Sequence, residues 1–342
     1  MIKVGVIGYG YWGPNVARCF SQVEDVQLAA IADFRAEALA KAHASHPGAR
    51  VISDFSDIID DPSIDAVAIV TPVGTHFELA LSALRAGKHV WLEKPMCERS
   101  DQAIQLIDEA ARRRRVLLVD HTFIYTPAVR KIHDLVESGA VGDLYYYDSV
   151  RVNLGLFQRD VNVIWDLAVH DFSILDHLIG QQPVAVSANG ASPVRGTPES
   201  IAYITVFFGS GMIAHLNVNW MAPVKVRQTL IGGSQKMIVF DDLEPSEKIK
   251  VYDKGVFLDG SPEQVRQLLV NYRIGDMWSP HLSTKEALRT EAEHFAQCIA
   301  TGSAPMTDGA MGLRVVEMIE AASASMRQRG HPTELAPMRR AS

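Results

Sequence analysis

Three groups of residues in this 342-residue chain have the types and spacing that chemistry requires. The first is Gly8-x-Gly10-x-x-Gly13, with Tyr11 and Trp12 inside it. An apolar run, Val4–Ile7, precedes it, and apolar residues at helical spacing follow: Val16, Ala17, Phe20 and Val23. The first glycine suits a tight turn, the second lets a pyrophosphate approach the backbone, and the third lets helix pack on strand. The helix start then offers N–H groups and the positive end of a dipole to phosphate. A second apolar run, Val26–Ala32, ends at Asp33, twenty residues beyond Gly13, where a ribose-binding acid belongs. Strand, glycine turn, helix, strand and acid in this order predict a dinucleotide site. Asp33 would repel a 2′-phosphate and so favour NAD over NADP. Arg35 beside it is either an ordinary exposed charge or a partner for that phosphate.

The second group lies near Val163. Asp166, His170, Ser173 and His177 recur at helical spacing and form a polar stripe on an otherwise apolar helix. Asp166 and His170 are four residues apart, so a carboxylate can hold and charge an imidazole, an arrangement for general acid–base work. Two histidines with carboxylates could instead ligate a metal, but HExxH spacing is absent and no metal is expected. The third group comprises Thr71-Pro72…His76 and Glu93-Lys94-Pro95, each directly after a buried apolar run. In an open parallel sheet, ligands sit beyond the carboxyl ends of strands, where both stretches fall. Taken alone, Glu93 and Lys94 read first as an ordinary surface pair at a strand end.

The elements that must position these groups divide into two patterns. Up to about Thr122, strands and helices alternate, predicting an α/β domain with a doubly wound parallel sheet over 1–122. Beyond it, strands follow one another with few helices between, predicting an α+β domain with an open antiparallel sheet over 123–342. Alternation over Leu144–Asn153 places Tyr145, Tyr147, Ser149, Arg151 and Asn153 on one face. Helices are predicted near Val163–Ile179, Lys285–Ala300 and Gly309–Arg329. Apolar residues make up 47% and charged residues 21%, enough for a sizeable core and against disorder. A net charge of −7 argues against a nucleic-acid partner. The basic run Arg112–Arg115 closes a predicted helix, where it suits the dipole and water. Cys19, Cys97 and Cys298 lack metal or disulfide spacing. No run is long enough for a membrane span, and the chain enters a strand at once, so no signal peptide is expected. A cytoplasmic location follows.

Gly8-x-Gly10-x-x-Gly13, Thr71-Pro72…His76, Glu93-Lys94-Pro95 and Asp166-x-x-x-His170-Asp171 appear in that order, and with them the chain resembles the glucose–fructose oxidoreductase / inositol dehydrogenase / MocA (Gfo/Idh/MocA) family from Lys3 to the last helix. The pairing of EKP with DxxxH is far more specific than the glycines. The resemblance implies a Rossmann domain, an open-sheet second domain, and pyridine-nucleotide redox chemistry on a sugar or cyclitol. It also implies that Lys94, Asp166 and His170 stand at the reacting hydroxyl. The finer pattern Gly10-Tyr11-Trp12-Gly13-Pro14-Asn15, with Trp165–Asp171, resembles members linked to nucleotide-sugar and surface-polysaccharide synthesis.

On this reading the cofactor contacts are Gly8, Gly10, Tyr11, Trp12, Gly13, Asp33, Arg35, Thr71, Pro72, His76, Glu93 and Lys94. Oxidation removes a proton from oxygen and a hydride from carbon. His170 takes the proton, Asp166 orients it, and Lys94 stabilises developing alkoxide charge. Tyr125, Arg151, Asn153, Asn162 and Trp165 are expected to line or border the substrate cleft, with Arg151 able to pair with a diphosphate. The expected substrate is a UDP-N-acetylhexosamine-type nucleotide sugar oxidised at its 3-hydroxyl. A free-sugar or inositol dehydrogenase is the alternative, and a silent NAD-binding sensor or scaffold the non-enzymatic one. The second-domain sheet is expected to form a homodimer or homotetramer through a face bearing Tyr145, Tyr147 and Arg151, or His215, Asn217 and Asn219.

Overall fold

The computed structural model describes residues 1–155, 161–253, 255–257, 271–273 and 275–336. The chain forms two compact units, Met1–Thr126 with Thr284–Glu317, and Pro127–Ser283 with Met318–Ser342.

The first unit carries β1 (Ile2–Ile7), β2 (Val26–Ala32), β3 (Arg50–Ile52), β4 (Ala66–Ile69), β5 (His89–Glu93) and β6 (Leu117–Asp120). They form one sheet in the order β3-β2-β1-β4-β5-β6, with every pairing parallel. Helices α1 (Gly13–Ser21), α2 (Ala36–Ser45), α3 (Ser56–Ile59), α4 (His76–Arg85) and α5 (Ser100–Arg113) connect them. The strand order reverses beside β1, so the Gly8–Gly13 turn stands at the switch point, where this class of sheet binds ligands. Side chains alternate between two cores. Ile7, Val90, Leu92 and Val119 join Leu84 and Leu106 on one face. Val6-side residues, Trp91 and Leu118 join Phe20 on the other.

The boundary expected at residue 122 needs correction. Helix α8 (Ala287–Thr301) and the start of α9 (Gly309–Arg327) belong to the first unit rather than to a second domain over 123–342. The reason is packing. Phe295 of α8 meets Trp91 edge-on at 5.8 Å, and Trp91 meets Phe20 at 5.2 Å. The sheet face carrying Trp91 is thus covered by α1 and α8 together.

The second unit contains α6 (Pro127–Glu137), a helix whose main part is α7 (Val169–Leu178), and a nine-stranded sheet. Its strands are β7 (Leu144–Leu154), β8 (Pro183–Ala191), β9 (Ile201–Phe208), β10 (Ile213–Asn219), β11 (Met221–Gly233), β12 (Met237–Asp241) and β13 (Ile249–Tyr252), with short β16 (Met277–Trp278) and β17 (Thr333–Glu334) at the edges. A separate pair joins β14 (Gly255–Phe257) to β15 (Asn271–Arg273). The order is β16-β13-β12-β11-β7-β10-β9-β8-β17. The sheet is antiparallel, as expected, apart from β7 and β10, which pair in parallel. One face is buried, through Tyr147, Ser149, Arg151, Ile204, Val206, Leu216 and Val218. The other presents Tyr203, Ile213, His215 and Asn217.

Candidate active site

In the first unit the predicted residues converge on the carboxyl edge of the sheet. Gly8 adopts φ +98°, and a Cβ there would stand 2.4 Å from the Val70 carbonyl oxygen; at Gly13 it would stand 2.3 Å from that of Gly8. These two glycines are required by the turn itself. A Cβ at Gly10 would meet only the Arg35 guanidinium, at 3.7 Å. No fold constraint accounts for that glycine, whereas close approach of a pyrophosphate does. Pro14 enters α1 at a position where a missing N–H costs nothing. Asp33, at the end of β2, accepts hydrogen bonds from Tyr9 N at 2.8 Å and Arg35 N at 2.9 Å. The Arg35 side chain adds two more, Nε to Oδ1 at 2.9 Å and Nη2 to Oδ2 at 2.7 Å. Burial pushes the Asp33 carboxyl up, but these hydrogen bonds outweigh it and bring it down to about 2. The residues present therefore fit a dinucleotide: a glycine ledge for phosphates and an ionised acid for ribose hydroxyls. Tyr11 is exposed and Trp12 half-buried on the same turn.

At the end of β4, Thr71 Oγ1 shares a hydrogen bond with Thr75 Oγ1 at 2.7 Å, and Thr75 Oγ1 donates to the Pro72 carbonyl at 2.8 Å. His76 was expected at the cofactor. It is buried instead, with its ring nitrogens 2.8 Å from the Pro95 carbonyl and 2.7 Å from the Thr71 carbonyl. It ties the β4 and β5 edge loops together, and burial holds its imidazole below its usual range. Lys94 leaves β5 through a cis bond to Pro95. Register pairs Glu93 with Asp120, so Lys94 and His121 leave the edge side by side. The Glu93 carboxyl is buried rather than offered to a ligand. Tyr125 also departs from expectation. It is 1% exposed, and its hydroxyl lies 3.1 Å from Thr307 Oγ1, so it is core and does not line a cleft.

In the second unit, Asn162 caps the helix that bears Asp166 and His170. Its Oδ1 accepts from Ile164 N at 3.1 Å and Trp165 N at 3.4 Å, and its Nδ2 donates to Glu199 at 3.1 Å. The first turn, Ile164–Ala168, is π-helical, and α7 continues from Val169. Such a widened turn is common where a helix serves a site, and here it spans Trp165 and Asp166 and ends one residue before Val169-His170. Asp166 Oδ2 accepts from Trp220 Nε1 at 2.9 Å. His170 is half-buried, and its carbonyl accepts from Ser173 Oγ at 2.8 Å. His177 stacks on His133 at 4.4 Å. Asn153 is half-buried near the end of β7.

Arg151 overturns a further expectation. It is 4% exposed, and its Nε donates to Asp171 Oδ2 at 2.7 Å, while Ser149 Oγ donates to Asp171 Oδ1 at 2.7 Å. It is consumed inside the fold and is not available to a diphosphate. Tyr147 and Arg151 consequently lie on the inner sheet face, not on an outward face open to a second subunit. Asp171 and Trp220 were missed by the sequence reading. Asp171 stands beside His170 on an apolar helix, a signal for a buried acid in need of a cation. Trp220 carries no comparable signal, because its partner comes from a distant helix. Among the described residues, no group of histidine, cysteine or acidic side chains is arranged to hold a metal.

Residues 2–121 match the family model described as the oxidoreductase family with an NAD-binding Rossmann fold. With the glycine ledge and Asp33 in place, this is an NAD-binding oxidoreductase. Residues 129–239 match the GFO/IDH/MocA C-terminal domain, and the chain belongs to the Gfo/Idh/MocA family. It is 28% identical over 319 residues to the UDP-N-acetylglucosamine 3-dehydrogenase of Acidithiobacillus ferrooxidans, covering 92% of this chain and 94% of that one. It is 23% identical to the myo-inositol 2-dehydrogenase of Thermotoga maritima, covering 96% and 97%. Among solved structures, the UDP-N-acetylglucosamine 3-dehydrogenase from A. ferrooxidans superposes with a TM-score of 0.81 at 26% identity, over 96% of this chain and 98% of that one. Levoglucosan dehydrogenase in complex with NADH and L-sorbose shares the fold, with a TM-score of 0.82 at 20% identity over 98% and 99%.

Proposed function

We propose that this protein is an NAD-dependent dehydrogenase of a UDP-N-acetylhexosamine-type nucleotide sugar, oxidising its 3-hydroxyl. The observation that carries this reading is the full-length likeness to a UDP-N-acetylglucosamine 3-dehydrogenase in both sequence and fold. An inositol or free-sugar dehydrogenase is the second reading, supported by the equally full-length likeness to a myo-inositol 2-dehydrogenase. Gly8–Gly13, Thr71 and Pro72 would hold the cofactor phosphates and Asp33 its adenosine ribose. When bound, the nicotinamide exchanges a hydride with the carbinol carbon. The chain's own groups handle the proton. His170 accepts it from the hydroxyl, and Asp166 supports the imidazolium that forms. Lys94 donates a hydrogen bond to the oxygen as negative charge develops on it. Asn153, Asn162 and Trp165 remain the substrate contacts of this reading, now without Tyr125 and Arg151.

NAD is favoured over NADP because Asp33 is ionised and its neighbour Arg35 is already spent on it. We place the protein in the cytoplasm, in keeping with three buried free cysteines; no helix among the described residues is long and apolar enough to cross a membrane. Assembly as a homodimer or homotetramer would use the outward face of the second-unit sheet. There Tyr203 stacks on His215 at 6.4 Å, and His215 Nδ1 lies 3.3 Å from Asp148. Initial-rate assays with UDP-N-acetylglucosamine, myo-inositol and glucose, each with NAD and NADP, test the function. The nucleotide sugar with NAD should give the highest kcat/KM. Turnover of myo-inositol alone would replace this reading with the second.

A further inference from the structure

Three carboxyl groups are buried behind the sheet edge from which Lys94 emerges. Along β5, Trp91 faces the core that holds Phe20 and Phe295, whereas Val90 and Leu92 face the opposite core. Glu93 therefore continues the Trp91 face. On β6, Leu118 shares that face, and Asp120 continues it, directly opposite Glu93 in register. The covering helix α8 turns Leu288, Ala292 and Phe295 toward the same core, and Glu291 lies on that stripe, 0% exposed. Three acids thus come from three elements into one dry layer.

Most of their oxygens have no conventional donor. Glu93 Oε2, Asp120 Oδ2 and both Glu291 oxygens lack a hydrogen-bond donor among the described residues, and on the same face Trp91 Nε1 lacks an acceptor. Thr122 Oγ1 does donate to Asp120 Oδ1. Three ionised carboxylates in such a layer would be prohibitively expensive, and buried like charges resolve the conflict by sharing protons. Burial raises Glu93 and Glu291 well above the usual carboxyl range, and in both the charge of Asp120 and a hydrogen bond to it add to the rise. The Lys94 charge opposes that rise at Glu93. The other titratable neighbours are neutral near pH 7. Burial lifts Cys19 of α1 to about 11 and raises Cys298 of α8 and Tyr125. Burial and the Lys94 charge hold His121 at about 3. Lys94 is a cation beside the cluster, and its charge acts on both Glu93 and His121.

We propose that Glu93, Asp120 and Glu291 form a proton-sharing carboxyl cluster, and that the cluster holds the Lys94 ammonium at the sheet edge. Glu93 and Asp120 are then positioning residues for Lys94. Their relevance to turnover rests on the role proposed for Lys94 above; the cluster itself does not.

Two measurements test this without turnover. The first is thermal unfolding of Glu291→Gln against wild type from about pH 5 to about pH 8. A neutral buried acid must ionise on unfolding above its ordinary pKa, so the wild type loses stability as pH rises. Glutamine removes that loss. The variant should therefore gain on wild type by roughly 2–4 °C per pH unit. A constant or shrinking difference would overturn the cluster. The second is competitive acetylation of Lys94 by acetic anhydride, read by peptide mass spectrometry. In Asp120→Asn, Lys94 should be labelled several-fold faster at a fixed pH, because its ammonium is no longer held; an unchanged rate would overturn the positioning role. If Lys94→Ala kept full turnover, the proposed catalytic role would fail while both of these results could still stand.

Discussion

At the scale of single residues, the proposed preference for NAD rests on Asp33. Its carboxylate accepts four hydrogen bonds, three of them from Arg35 and two of those from its side chain. Asp33→Ala should lower kcat/KM with NAD by at least roughly tenfold and release Arg35 to face a 2′-phosphate, so the NADP-to-NAD ratio rises. Steady-state kinetics with both cofactors check this, and an unchanged ratio would remove Asp33 from the role. For proton transfer, His170→Ala should cost about 10²–10⁴-fold in kcat. Lys94→Ala should slow turnover while NADH affinity, followed by fluorescence titration, stays within about twofold, because a group acting on transition-state charge adds little to ground-state binding. Asp166→Asn combined with His170→Ala should be less than additive in kcat. Independent, additive losses would mean that Asp166 serves Trp220 alone.

At the scale of elements, the Arg151–Asp171 pair fastens α7 to β7. Arg151→Met leaves a buried carboxylate without its cation, and should destabilise by about 3–5 kcal/mol in chemical denaturation while KM for the sugar changes little. A raised KM at unaltered stability would return Arg151 to substrate binding. The same pair shows where sequence reading stops. Alternation along β7 correctly grouped Tyr147, Ser149 and Arg151 on one face, but period-two patterning does not say which face a helix will cover. A charged residue in such a row reads as outward until its partner, here on another element, is known. The first 122 residues were more legible, because buried parallel strands announce themselves as short apolar runs, each followed by its helix. Gly8, Gly13 and Asp33 could be placed for the same reason: their constraints are local. Tyr125, Glu291 and α8 could not, since their burial depends on packing with Thr307, Asp120 and Trp91, far away in the chain.

At the scale of the whole molecule, buried ionisable groups set opposing limits on stability. Burial holds His89 and His177 at about 4, with Arg115 adding to the effect at His89 and His133 and Arg130 at His177. An unfolded histidine takes up a proton near 6.5, so stability falls as pH drops from there toward 4. Glu93 and Glu291 act in the opposite sense and cost stability as pH rises above the ordinary glutamate range. The melting temperature should peak between these limits. His177→Phe, which keeps a ring against His133, should flatten the acid limb; an unaltered limb would remove His177 from the balance. Assembly is tested on the outward sheet face, where Tyr203 is 50% and Ile213 47% exposed. Ile213→Asp should convert an oligomer to monomer in size-exclusion light scattering, and a monomeric wild type would end the assembly proposal.

The first unit is written in two pieces of chain, with 157 residues, Pro127–Ser283, between them. On the ribosome, its six strands emerge long before α8 exists. Until Phe295 arrives, Trp91 and Phe20 face solvent, and Asp120 and Glu93 are still wet and free to ionise. The nascent nucleotide domain is therefore an incomplete object that must wait for the intervening sheet to be synthesised. Its hydrophobic flank is a natural client for a chaperone, and its carboxyl layer dries only when the last helices close over it. A stalled chain ending at Ser283 should be captured by trigger-type chaperones and cleaved readily by protease within Met1–Thr126. Extending it to Glu317 should abolish both, which makes the closing of this flank a late event in the folding of the enzyme.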